Sequence, residues 1–444
     1  MGWVLAAAGL AAAQGGGAVP VITPVVLRNV RVVDGTGSAP REHMTLVLAE
    51  GRIQRVCAEG QPCPVPPNAV ERPDLQGDTV LPGLIAGHAH LALLNGQGQF
   101  DAAVYTQSNA VTQLKQYQRY GVTTVVSLGA NRDVVWSIRE RQRAGELGGA
   151  TVLTVGRGIG VPGGFPPFPA APDQLDRPSS PEEARADVDR AAAHHADLVK
   201  IWIDSSHGKL PEMNDTIVRA VIAEAHAKGL RVAAHIYALE DARRLVNEGV
   251  DVLAHSVRDK PVDPAFVALL KAKGTWYIPT LTVDESFFVY ADHPELLNGP
   301  LLIAAVPASQ LEILKSAAYR DKIESDPATA QHRQDFATAS QNLKTLYDAG
   351  VHIGFGTDSG AALGRIPGYS EQRELLLMVG AGLTPLQAIA CATSANAAML
   401  HLHTGVLKPG YRADLLVTHG DPSVDIAAAG RIAAVYEAGV AVAP

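Results

Sequence analysis

The sequence predicts an α/β chain in which a TIM (β/α)8 barrel carries a small β-sandwich domain built from both chain ends. Three observations lead there. Short apolar runs recur through the middle at 80–86, 121–128, 151–155, 198–203, 231–236, 250–254, 276–281 and 351–355, eight in all. Helical patterns separate most of them, and strands joined through helices pair in parallel, because only a crossover returns the chain in the same direction. Both ends of the chain instead alternate apolar and polar residues in the manner of antiparallel strands. Eight strand–helix units is the count of the barrel.

Taken in order, residues 1–13 form one apolar run that ends in Ala11-Ala12-Ala13 before Gln14. It is shorter than the about 20 apolar residues that a bilayer span requires. Its small final residues fit a secretory cleavage site, although no Lys or Arg precedes the run. A signal peptide over 1–13 is expected, with a periplasmic or secreted address and the cytoplasm as the alternative. Strand texture follows at 25–33, 44–49 and 52–56, and returns at 413–417 and 433–436. The expected units are a composite β-sandwich from 20–80 and 404–444, and a barrel over 81–403. Cys57 and Cys63 lie six residues apart in a turn-rich stretch, where a small disulfide loop and two unrelated thiols are both open readings. Cys391 reads as a buried apolar residue.

One connecting helix is clear in the middle: Ile217, Val218, Val221, Ile222 and Ala225 share a face, and Gly229 follows as a stop. An open doubly wound sheet would need a glycine fingerprint running into a helix. Gly156-Arg157-Gly158-Ile159-Gly160 has the glycines, but Pro162, Pro166 and Pro167 follow where that helix should begin. Two connections are long, 156–182 and 284–327, and both follow strands, which in a barrel places them over the chemical face as lids or pocket walls. The formal charge is 37 − 45 = −8 with no long basic run, which argues against a nucleic-acid partner. No stretch beyond the first residues reads as a membrane span.

The chemistry sits at the ends of the predicted strands. His88-Ala89-His90 closes the first run, and residues i and i+2 of a strand point to one side, so the two imidazoles can grip one cation. Lys200 stands inside the apolar run Leu198-Val199-Lys200-Ile201-Trp202, where an ammonium is costly unless paired or altered. His235 and His255 each close a run and lie 20 residues apart with a helical pattern between them. Asp358 follows the last run. Imidazole and carboxylate ligands suit zinc and similar divalent ions. A further pair, His401 and His403, follows a helix and reads as a surface feature. His207, just past the fourth run, is a weaker pocket candidate.

These residues, with Leu81-Pro82-Gly83-Leu84-Ile85 ahead of the first pair and Pro409-Gly410-Tyr411-Arg412-Ala413-Asp414-Leu415 near the end, resemble the metal-dependent amidohydrolase superfamily. The resemblance falls in its imidazolonepropionase-like and prolidase-like branch, which includes Xaa-Pro dipeptidase and ochratoxinase. Ala86 stands where that pattern commonly has Asp. The resemblance implies two divalent metal ions, zinc first among them, bridged by carboxylated Lys200. It assigns His88, His90 and Asp358 to the more buried ion and His235 and His255 to the more exposed one.

It further implies hydrolysis of an amide C–N bond in a dipeptide, an N-acyl amino acid or an ochratoxin-like amide, by attack of a hydroxide held between the ions. Asp358 would carry the proton from the water to the leaving amine. Tyr237, two residues past His235, is placed to donate to the developing oxyanion or simply to pack. Trp276, Tyr277 and Phe287, with Phe288 and Tyr290, suggest an aromatic substrate wall. A lactonase, esterase or phosphotriesterase would use the same metals and is the alternative. A single-ion deaminase is disfavoured, because His235-Ile236-Tyr237-Ala238 lacks the acid of a His-x-x-Glu motif. The expected partner is a small amide or peptide, and barrels of this kind often form homo-oligomers.

Overall fold

The computed structural model describes residues 23–442, so the expected signal peptide at 1–13 lies outside the described residues. Fifteen strands follow in chain order among them. They are β1 (Val25–Val32), β2 (Arg41–Ala49), β3 (Arg52–Cys57), β4 (Val70–Glu71), β5 (Thr79–Pro82), β6 (Leu84–Ala89), β7 (Val122–Ser127), β8 (Thr151–Thr154), β9 (Val199–Trp202), β10 (Val232–His235), β11 (Val252–Ala254), β12 (Trp276–Ile278), β13 (Leu415–Thr418), β14 (Ile432–Glu437) and β15 (Val440–Val442). They form three sheets, and with the intervening helices the architecture is α/β.

The strands near both ends share one mixed sheet in the order β15-β14-β13-β5-β1-β2-β3, with β4 beside β1. The alternation seen in the sequence is what builds it. Leu27, Val30, Met44, Leu46, Leu415 and Val417 turn inward to a small core of their own, as period-two patterning requires. Cys57 and Cys63 form a disulfide at the edge of this sheet. The apolar run at 80–86 divides at Gly83. β5 pairs with β1 and β13, whereas β6 pairs with β7. One continuous apolar stretch thus serves two sheets, which hydrophobicity alone does not reveal.

The middle of the chain holds two parallel sheets, β6-β7-β8 and β9-β10-β11-β12. Helices Gln107–Arg119, Val134–Arg143, Pro181–Ala193, Asp215–Ala227, Leu239–Glu248 and Pro264–Lys273 separate successive strands. In Asp215–Ala227 the predicted face is the buried one, including Ile217, Val218, Val221, Ile222 and Ala225, and Asn214 caps its first turn. The apolar run at 351–355 forms no strand ladder. A few backbone hydrogen bonds seat it between β12 and β6: Tyr277 N–H donates to His352 O, Gly354 N–H to Tyr277 O, and Gly87 N–H to Phe355 O, each at 2.9 Å. Across the other gap, Ile159 N–H donates to Lys200 O at 2.8 Å.

The final segment comes so close to β6 that a side chain would not fit. A Cβ on Gly356 would fall 2.7 Å from His88 Cβ and 2.8 Å from His88 N. Asn396, fully buried, pins the same junction. Its Nδ2 donates to Ile85 O at 2.6 Å and Phe355 O at 2.7 Å, and its Oδ1 accepts from Phe355 N–H at 3.0 Å.

The two long connections differ in kind. The first, 156–182, contains no helix or strand before helix Pro181–Ala193 begins, whereas 284–327 is a succession of short helices. The second one builds a separate apolar cluster from Val289, Tyr290, Leu297, Leu302 and Leu314 against Tyr120 and Ile366. No helix among the described residues is long and apolar enough to cross a membrane. Replacing Asn396 by Ala strands buried backbone groups at the junction. The expected loss is about 2–4 kcal/mol of unfolding free energy, read from a denaturant titration; an unchanged midpoint would contradict this account of the junction.

Candidate metal centre

His88 lies near the C-terminal end of β6 and His90 just beyond it; His235 ends β10, His255 follows β11, and Asp358 follows the segment seated beside β6. Lys200 lies within β9, level with Ala233 of β10. The strand ends bring the donors together. Asp358 Oδ1 lies 3.2 Å from His88 Nε2 and 2.8 Å from His90 Nε2. The His88 and His255 rings are 4.5 Å apart, as are those of His235 and His255. One donor atom each from His88, His255 and Asp358 lies within 4.8 Å of the other two.

Three of the four rings are held by a further nitrogen contact, whereas the buried Nδ1 of His88 has no partner among the described residues. His90 Nδ1 is 3.0 Å from Gly129 O, His255 Nδ1 is 2.9 Å from Thr280 Oγ1, and His235 Nε2 is 3.0 Å from Asp204 Oδ2. Such contacts fix ring orientation, a common support for metal-binding histidines. The backbone is strained here as well, with φ of +84° at His255 and +57° at Asp358. Left-handed conformations are costly for residues with side chains and collect at functional sites.

The electrostatics are unusual. Lys200 is 1% exposed, and its Nζ has no hydrogen-bond partner among the described residues. Burial lowers its pKa to about 7, against an opposing pull from Asp358. Burial, reinforced by the Lys200 charge, lowers His88 to about 3. Burial also lowers His235 and places His255 well below its ordinary value. Burial works to raise Asp358, but the Arg365 guanidinium and the two imidazoles hold it well below the carboxylate range. Neutral imidazoles and an ionised carboxylate are the protonation states a divalent cation requires. The bare ammonium is the one group that does not fit, and Nζ is left without any partner. A carbamate there would be an anionic oxygen donor, so the residues present fit a metal centre that uses carboxylated Lys200.

The cluster opens on a cavity of about 490 Å³. His207, Tyr237 and Phe287 line it as expected, together with Phe100, Phe165 and Phe168. Phe165 stacks on His235 with ring centres 4.6 Å apart. The Tyr237 hydroxyl donates to the Asp335 carboxylate, with O–O distances of 3.1 and 3.2 Å, so its single proton is already committed.

Trp276 and Tyr277 are not on the cavity wall. Trp276 starts β12 and stacks on His352 at 4.8 Å. Tyr277 is fully buried, and its hydroxyl accepts from Val257 N–H at 2.7 Å. Both belong to the start and middle of a strand whose far end faces the cavity, so aromatic character misplaced them. Phe288 and Tyr290 also turn away, Phe288 towards Phe336 and Tyr290 into the apolar cluster of the long connection.

Sequence reasoning missed five charged residues of this wall, Asp204, Arg258, Asp284, Asp335 and Arg365, and the polar Ser206 and His332. Asp204, two residues past β9, was findable by the same strand-end logic. Arg365 pairs with Asp358 Oδ2, and Arg258 approaches Asp284 at 3.4 Å. No periodicity marks them, because connecting segments deliver them.

A family model described as the amidohydrolase family matches residues 79–442. An uncharacterized protein of Mycobacterium tuberculosis (strain ATCC 25618 / H37Rv) is 26% identical over 345 residues, 76% of this chain and 78% of that protein. A Xaa-Pro dipeptidase solved with methionine in its active site superposes with a TM-score of 0.75 at 23% identity, covering 95% of this chain and 100% of that one. The A. niger ochratoxinase gives 0.73 at 18% identity, over 95% and 96% of the two chains.

Thr280→Val keeps the shape beside His255 and removes the oxygen that steers it. The expected outcome is metal affinity weaker by about 10–100-fold, measured by competition with a chelator, whereas wild-type affinity would contradict the steering role.

Proposed function

The chain belongs to the amidohydrolase family, and from that membership and the buried donor cluster we propose that it uses divalent metal ions, zinc first among them, to hydrolyse an amide C–N bond. The observation that carries this reading is Lys200 Nζ, buried without a partner among imidazoles and a carboxylate. His88, His90 and Asp358 would hold one ion, His235 and His255 the second, and carboxylated Lys200 would serve both. When bound, the ions supply a nucleophilic water at neutral pH and polarise the scissile carbonyl.

The chain's own residues do the remainder. Asp358 accepts the water proton and passes it to the leaving amine, while Arg365 on Oδ2 keeps the carboxylate ionised and aligned. Tyr237 donates to the carbonyl oxygen as charge develops there, which requires it to exchange its bond to Asp335. Phe100, Phe165, Phe168 and Phe287 exclude water and receive an apolar or aromatic substrate body. Dipeptides, N-acyl amino acids and ochratoxin-like amides fit such a wall. Structural likeness to a Xaa-Pro dipeptidase and an ochratoxinase supports that choice.

The same reading treats the two parallel sheets and the segment 351–359 as one (β/α)8 barrel, closed by a few backbone hydrogen bonds on either side. The 20–80 and 404–444 regions then form the accompanying β-sandwich and 81–403 the barrel. A periplasmic or secreted address goes with it, supported by the Cys57–Cys63 disulfide, since such bonds persist in oxidising compartments.

Dialysis against a chelator should abolish turnover of the best amide in a panel of dipeptides and N-acyl amino acids, and added zinc should restore it. Turnover that survives complete metal removal would sink the proposal, and faster hydrolysis of lactones or phosphotriesters would redirect it. Asp358→Asn should lower kcat by about 10²–10⁴-fold while most of the metal stays bound by elemental analysis; near-normal kcat would remove Asp358 from proton transfer.

A further inference from the structure

The far wall of the cavity carries a second cluster that the metal chemistry leaves unused. Asp284 comes from the short helix Thr282–Glu285, and His332 and Asp335 lie nearly one turn apart on helix Ala328–Asp348. One acceptor atom from each lies within 4.8 Å of the other two. Asp284 is 3% exposed and Asp335 2%. Asp335 accepts only from neutral donors, the Tyr237 hydroxyl and Gln331 Nε2 at 2.7 Å. Among the described residues the Asp284 carboxylate accepts no hydrogen bond, and its one ion-pair neighbour is Arg258 Nε at 3.4 Å. Burial pushes the Asp284 carboxyl up to about 6 despite that neighbour. His332 Nδ1 is buried with no partner, and burial lowers this imidazole, which keeps it neutral and able to accept.

Three acceptors within 4.8 Å of one another can converge on a primary ammonium: a tetrahedral –NH3+ that donates at about 2.8 Å sets its acceptors about 4.6 Å apart. Arg258, beside Asp284, opposes a divalent cation about twice as strongly as a monovalent ammonium. Phe287 stacks on His332 with ring centres 4.1 Å apart, which holds the imidazole in place.

We propose that Asp284, His332 and Asp335 form a subsite for a primary ammonium group on the substrate, supplied by a free α-amino terminus or a lysine side chain. Resting on the hydrolase reading above, this narrows the substrates to amides that carry a positive charge away from the scissile bond. An ammonium seated on Asp335 displaces the Tyr237 hydroxyl, which frees its proton for the carbonyl oxygen.

The test uses probes with no amide bond, so it stands apart from the hydrolase reading. Calorimetry on the protein as purified compares phenethylammonium with 2-phenylethanol. The ammonium should bind at least about tenfold tighter, and Asp335→Asn and His332→Phe should each erase most of that advantage without loss of fold by circular dichroism. His332→Phe keeps the stack on Phe287 and covers the case in which Asp335→Asn does not fold.

Equal binding of the two probes, or an advantage that survives both variants, overturns the subsite. Loss of a metal equivalent in Asp335→Asn also overturns it, in favour of a third metal site. Hydrolysis then separates the sources. A preference for Ala-Phe over N-acetyl-Ala-Phe assigns the α-amine, and one for N-acetyl-Ala-Lys over its norleucine analogue assigns the side chain. No preference in either pair refutes the substrate class.

Discussion

A lysine ammonium sealed in the protein interior with nothing to bond is the constraint on which the rest of the structure depends. Lys200 is 1% exposed, and its Nζ touches no acceptor. Leaving a charge in that condition costs several kcal/mol, more than most single interactions in a domain return. Its charge also falls on His88, His235 and His255, each of which it pushes further from protonation. On the proposed reading, conversion to an anion would remove both penalties together and would supply the donor that a cation among those imidazoles lacks. The stability of this interior and the chemistry proposed for the site then rest on one nitrogen atom.

The surrounding fold is arranged to hold these groups close at some local cost. His255 and Asp358 adopt left-handed backbone conformations, and Gly356 allows the segment bearing Asp358 to lie against His88. Gly129, at φ +110°, does the same beside Lys200, where a Cβ would come within 2.8 Å of the Trp202 ring. Strain of this kind persists only where neighbouring structure over-determines it. Here Asn396 and the few backbone hydrogen bonds at the two sheet gaps supply that determination. The cavity above is then free to vary, because its walls come from connections and not from the strands.

That division explains what could be read from residues alone. The α/β class, the shared sheet of the two chain ends, the placement of His88, His90, His235 and His255 at strand ends, of Lys200 inside a strand and of Asp358 past the last apolar run all follow from local periodicity, which the chain obeys. Three features did not. The break at Gly83 is invisible because both halves of the run are apolar. The 351–355 run makes one isolated bridge to Tyr277 instead of a ladder, and Gly354 and Gly356 bring the segment close against Asn396 and His88. The polar wall of Arg258, Asp284, His332, Asp335 and Arg365 depends on how long connections and one 21-residue helix fold back over the strands, which no period encodes. Trp276 and Tyr277 were misplaced for a related reason: aromatic content says that a residue packs, and not which end of its strand it packs at.

The central claim concerns atoms at Lys200, and diffraction addresses it most directly. Crystals of the protein grown with zinc and bicarbonate, measured on both sides of the zinc absorption edge, should show two anomalous peaks among His88, His90, His235, His255 and Asp358. Continuous density for a carboxylate should extend from Nζ towards both. A bare ammonium at Lys200 with no anomalous peak beside it, in a chain otherwise folded as described, would contradict the account.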